Sequence, residues 1–200
     1  MRPSRLAWLN VAVKATLGAL IAFYLLRRDL PQFQGKIMPV RAVAFPLVAA
    51  LVPIVWWLRG RPRPYPHLPD ALIVLPAIVD FGGNAADMYR FEWFDHSVHF
   101  TNLVLLTIAG ALLVAPLRLG RAVTVALIVG AGAVIHTMWE IFEHWIDHLL
   151  DANLDVTART TINDLTVGLV GAALGAAIGA LLGERRPELG SRLVRAGADP

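Results

Sequence analysis

Six stretches of this chain, at residues 6–26, 39–58, 70–89, 94–115, 121–149 and 161–183, are apolar for nearly their whole length. Each is about as long as the ~20 residues a helix needs to cross a bilayer core of ~30 Å. A soluble fold of 200 residues has no interior for six helices that are apolar on every side. The bilayer must therefore be the solvent. The expected fold class is all-α, a polytopic transmembrane helical bundle of about six helices. Residues 1–200 form a single membrane domain in this reading, and 184–200 a short charged tail. Only 16% of the residues are charged, against about a quarter in soluble domains.

Cysteine is absent, which excludes disulfides, thiolate metal ligands and cysteine nucleophiles. The arginines gather at segment ends, where in a membrane protein they set orientation. The expected surroundings are membrane lipids, with no nucleic acid. The apolar stretch after Arg2 and Arg5 is too long for a signal peptide's core. No small-x-small cleavage site follows it before Arg27 and Arg28, so it reads as a retained first helix. Asn10 and Lys14 interrupt that helix, and Lys14 must reach the interface or a partner helix. The second segment carries Pro46 and Pro53, which membrane helices tolerate. With both termini cytoplasmic, the inner side holds eleven Lys and Arg residues. The outer side holds six, Arg27, Arg28, Lys36, Arg41, Arg90 and Arg159. The positive-inside rule then favours both termini inside. The loop with Asp147, Asp151 and Asp155 is acidic, as suits the outside.

Gly171, Gly175, Gly179 and Gly183 recur at four-residue spacing on the last helix. Such a stripe lets another helix approach closely, within the bundle or in self-association.

The polar residues are less evenly placed. Asp80, Asn84 and Asp87 fall at i, i+4 and i+7 on the third helix, on one face. Asp95 and His99 share a face at the start of the fourth, with His96 beside them. On the fifth, His136, Glu140, Glu143 and Asp147 form a narrow stripe with His144 at its edge. Asp164 stands at the start of the sixth. The topology brings all of these to the outer membrane face. A single ionised carboxylate at the bilayer centre costs about 2.5–3.5 kcal/mol, and several together repel unless protonated or bridged by a cation.

Three functions account for such a set. A divalent metal (Zn, Mn or Fe) suits Asp, Glu and His donors without Cys, and could activate water against an ester or phosphoester of a lipid. A proton- or cation-coupled transporter also uses chains of intramembrane acids and histidines. A non-catalytic scaffold would use them as interhelical hydrogen bonds. The chain contains no HExxH, GxSxG or P-loop pattern.

The segment Asp95-His96-Ser97-Val98-His99-Phe100 resembles the D-x-x-x-H-F that opens a helix in the YjdF-like inner-membrane proteins. Trp139-Glu140-Ile141-Phe142-Glu143 resembles their aromatic-Glu-x-x-Glu helix. Arg159 to Asp164, followed by Gly171, is similar to their last D-x-x-x-D turn, and more distantly to the R-x-x-x-x-D…G of VanZ-like proteins. Thr160 stands where the YjdF-like pattern has an acid, and Gly168 where the VanZ-like one has Asn. The resemblance implies a multi-pass protein of the bacterial inner membrane, with Asp95, His99, Glu140, Glu143 and Asp164 at the family positions. On the metal reading, His99, Glu140, Glu143 and Asp164 are the expected ligands. Asp80 and Asp95 are then the expected orienting residues or general base, in an outward-facing pocket for a lipid or cell-envelope amphiphile. His96, His136, His144, Asp87 and Asn84 are secondary candidates.

Overall fold

The computed structural model describes residues 4–62, 64–152, 154 and 156–196. Arg2 and Arg63, which enter the charge count, and Asp155 of the acidic loop lie outside the described residues. Among those described, every regular element is helical. The long helices are α1 (Arg5–Leu26), α2 (Met38–Leu58), α3 (His67–Ala85), α4 (Glu92–Val114), α5 (Arg121–Leu150) and α6 (Ala158–Ala196). All six contain a stretch long and apolar enough to cross a membrane. Their outward faces carry exposed Leu51, Val123, Ile135 and Leu169, a surface that suits lipid rather than water.

Local chemistry explains where the helices start and stop. Ser4 caps α1, its Oγ accepting from the Ala7 N–H at 3.2 Å. Pro46 and Pro53 lie inside an unbroken α2, and Pro76 inside α3, as neighbouring helices in a membrane allow. The third helix ends at Ala85 rather than at 89. Gly82 and Gly83 weaken its last turn, and Asp87 turns the chain with a positive φ of 56°. Likewise α6 does not stop at 183; residues expected in the tail continue the helix to Ala196.

The bundle is built in two halves. In the first, α1, α2 and α3 enclose Leu17, Tyr24, Met38, Phe45, Val74 and Phe81, with Tyr24 and Phe45 both meeting the Phe81 ring edge-on. In the second, α4, α5 and α6 close around Ala111, Ile128 and Ala176. Here α6 lies directly on α4: a methyl group on Gly171, Gly175 or Gly179 would run into the main chain of Phe100, Val104 or Ile108. Gly171, Gly175 and Gly179 thus let α6 pack closely on α4 within the chain. Contact between α3 and α4 joins the halves, and Arg41, Asp80, Asn84, His99, His136, Glu140 and Asp164, all buried, collect near that junction.

A buried polar site between the two halves

The first half contributes an arginine. Arg41, in the first turn of α2, is buried, and its Nη1 bonds Asp80 Oδ1 of α3. Its Nη2 lies 3.6 Å from Glu143 Oε1 of α5. The Tyr89 hydroxyl donates to the same Asp80 oxygen at 2.5 Å, and Asn84 Nδ2 donates to the Asp80 carbonyl at 3.0 Å. Burial, and then the negative charge of Asp80, push the Tyr89 phenol well above its usual range, so it remains a donor.

The second half contributes imidazoles. His99 Nδ1 of α4 lies 2.9 Å from His136 Nε2 of α5. Glu140 Oε1 stands 3.4 Å from the first nitrogen and 3.2 Å from the second. All three residues are buried. Glu140 Oε1, fully enclosed, has no hydrogen-bond partner among the described residues. Ligands held ~2.0–2.1 Å from a tetrahedral metal stand about 3.3 Å from one another, close to the three separations here. A second trio, Asp95, His99 and Asp164, also lies within 4.8 Å. His99 presents Nε2 to Asp95 at 3.7 Å, while Asp164 is paired with His96 Nδ1 at 2.6 Å. The region thus holds five carboxylates, of which the guanidinium touches Asp80 and Glu143, while Asp95, Glu140 and Asp164 stand against histidines.

Residues 9–185 match the model of a family described as predicted membrane proteins, DUF2238. The chain belongs to the DUF2238 family. This is the YjdF family, and the match does not extend to the VanZ-like group. No curated protein and no solved structure matches the chain.

Within this DUF2238 chain, the expected site residues divide. His99 and Glu140 meet, and their third companion is His136, set on the same face of α5 as Glu140 one turn away. Glu143 turns instead to Arg41, and Asp164 to His96. Asp87 leaves the stripe, because α3 has ended before it; its half-exposed carboxylate stands 3.7 Å from Arg90. His144 is exposed beside Trp145. Gly168 explains its own departure from the VanZ-like pattern: any Cβ there would overlap the His136 ring. An asparagine would push that imidazole out of the trio.

Two charged residues escaped the sequence reading. Arg41, counted above only as an outer-side charge, lies inside the second apolar run, and the signal for its role is Asp80, an acid within an apolar helix that needs a cation. Asp70, in the first turn of α3, is fully buried at the opposite end of the bundle. Its Oδ2 accepts from Asn10 Nδ2 at 2.7 Å, Lys14 Nζ at 2.7 Å and the Tyr65 hydroxyl at 2.6 Å. Lys14 on an apolar helix required such a partner. Burial first, then the hydrogen bond to Asp70, raise the Tyr65 phenol above its usual range. Asp70 and Asp80 are about 15 Å apart along α3, at ~1.5 Å per residue. Between them the buried face of the helix is Ala71, Val74 and Ala77.

Proposed function

We propose that this DUF2238 protein binds one divalent metal ion at the junction of its two halves and acts there on an ester or phosphoester of a lipid or other cell-envelope amphiphile. His99 Nδ1, His136 Nε2 and Glu140 Oε1 hold the ion. The observation that carries this reading is Glu140 Oε1, a buried oxygen with no hydrogen bond, facing two buried ring nitrogens at ligand-to-ligand distance. Leaving such an acceptor unmet costs about 1–3 kcal/mol, and a cation removes that cost. The excess of carboxylates over the single guanidinium favours positive charge in the same place. Imidazole and carboxylate donors suit Zn, Mn or Fe. Three protein ligands leave a fourth position for water, whose pKa a zinc ion lowers to about 7. Asp95, beside His99 Nε2, is placed to fix the tautomer that frees Nδ1 for the metal.

The setting in this reading is the bacterial inner membrane, with both termini cytoplasmic and the site towards the outer face. Taking the buried Arg41 out of the loop count increases the charge bias towards that orientation. A proton or cation path fits less well, because Ala71, Val74 and Ala77 separate Asp80 from Asp70 with apolar packing.

Metal analysis tests the proposal. Protein purified without chelator and supplied with Zn, Mn or Fe should hold one ion per chain. His136→Ala and Glu140→Gln should lose it, and Asp70→Asn should keep it. A wild-type protein that retains none of the three metals, or a Glu140→Gln variant that retains as much as wild type, overturns the reading.

A further inference from the structure

The trio of His99, His136 and Glu140 uses one nitrogen of the His99 ring and leaves the other over. Helices α4 and α6 run in the same direction with their main chains close, Gly171 on Phe100 and Gly175 on Val104. That packing sets the second turn of α6, with Asp164, beside the start of α4, with Asp95 and His96. His99 turns Nε2 towards Asp95 Oδ1 at 3.7 Å, which is beyond hydrogen-bond length. The residue is more than nine-tenths buried, so this ring nitrogen is held away from water without a hydrogen-bond partner among the described residues. Asp164 gives Oδ1 to His96 Nδ1 at 2.6 Å, and its Oδ2 has no hydrogen bond among the described residues. One ligand atom from each of Asp95, His99 and Asp164 lies within 4.8 Å of the other two. Charge points the same way. Ionised, the five carboxylates exceed the one guanidinium by four charges, and a divalent ion at the trio offsets two of them. Asp95 and Asp164 remain in excess, and a proton on His96 matches one of them at most.

We propose that Asp95, Asp164 and His99 Nε2 hold a second divalent cation of the zinc class, so that the His99 ring bridges two ions. This rests on the metal reading above and makes its centre binuclear. Imidazole and carboxylate donors suit zinc. The bridge forms when the second ion displaces the Nε2 proton, which passes to solvent water by way of the Asp95 carboxylate, 39% exposed. Until then Asp95 orients the ring. Because that carboxylate is open to water, the second ion exchanges more readily than the enclosed first and fills only when metal is in excess. It supplies a Lewis acid for a substrate oxygen beside the water held by the first ion.

The test titrates metal-stripped full-length protein in detergent with Zn(II), free zinc being read by a chromogenic chelator. Two ions per chain should bind, the second about 10-fold or more weakly than the first. Asp164→Asn and Asp95→Asn should each keep the first ion and weaken the second by about 10-fold or more; the partly exposed Asp95 tolerates its amide without loss of the fold. Glu143→Gln removes the same charge from the region but touches neither ion, and should keep both. Cobalt(II) then reports the shared ring. Two ions joined through one imidazole couple magnetically, so the paramagnetic resonance signal of doubly loaded protein should fall below the sum of two separate ions. A single ion at saturation overturns the proposal, as does a second ion that survives both Asn variants or is lost equally in Glu143→Gln, or a cobalt signal equal to that sum. One bound ion that Glu140→Gln loses sinks this inference and leaves the trio standing. Protein that binds no ion sinks the metal reading and this inference together.

Discussion

At one end of α3, Asp70 meets Lys14, with Asn10 and Tyr65 completing the contacts of a single carboxylate oxygen. At the other end, Asp80 meets Arg41, but four further carboxylates stand nearby, three of them largely enclosed and that of Asp95 39% exposed. The first cluster is balanced, one acid against one base, and its lysine is still 29% exposed. Its charges offset one another and tie α1 to α3, although Asp70 Oδ1 and Asn10 Oδ1 are buried there without hydrogen bonds. The second is unbalanced and includes three histidines, two of them turned to a carboxylate oxygen that has no hydrogen bond. A membrane protein gains nothing structurally by crowding acids that repel one another. The contrast separates a polar contact that joins helices from one arranged around a missing positive charge.

The largest effect should come from removing the arginine. Arg41→Leu leaves Asp80 and Glu143 buried without their cation, and breaking a buried pair in this way costs about 3–5 kcal/mol. Lys14→Met should cost distinctly less, because Asn10 and Tyr65 still donate to Asp70. Thermal or denaturant unfolding of the two variants in the same detergent compares them. Equal losses would mean that the two clusters are held alike, and the contrast would fail.

Metal linkage comes next. A ligand that binds only the folded state at 100 times its Kd stabilises by about 2.7 kcal/mol. Chelator should therefore lower the midpoint of the wild type and of Asp70→Asn, and leave Glu140→Gln unmoved. A third effect singles out the backbone behind the trio. Gly168→Ala forces the His136 ring to shift and should weaken metal binding about 10–100-fold, the usual range for disturbing a ligand's support. Gly82→Ala, where the nearest atom to an added methyl is a Leu20 methyl at 3.9 Å, should not change it.

How much of this was legible in the sequence follows from what each residue's environment depends on. The six helices were, because hydrophobic length needs only the bilayer for its explanation. The shared level of Asp80, His99, Glu140 and Asp164 was legible from helical periodicity. Partner choice was not. Glu143 and Glu140 lie three residues apart on one stripe, yet one faces Arg41 of α2 and the other His99 and His136, a division set by where the neighbouring helices stand around α5. Asp87 was misplaced because periodicity was carried past the point where Gly82 and Gly83 let the helix end. Arg41 and Asp70 were missed for a related reason. A charge near a helix end has the same sequence signature whether it points to water or across to another helix.

The smallest expected differences lie in the two tyrosines, which play the same part at opposite ends of α3. Tyr65→Phe and Tyr89→Phe each remove one hydrogen bond to a carboxylate and should each cost about 1 kcal/mol. Both phenols have folded-state pKa values raised above the ordinary ~10. Their contribution is therefore complete below pH ~10 and is lost as pH rises beyond it, since the unfolded chain releases the proton first. Wild-type stability should fall above that pH, and the Tyr65→Phe/Tyr89→Phe double variant should fall less steeply. If the site end is arranged around a cation, added metal should leave the cost of Tyr65→Phe unchanged and reduce that of Tyr89→Phe, because the ion draws the neighbouring carboxylates to itself. Metal that shifts both costs equally would show that the two ends of α3 are not independent.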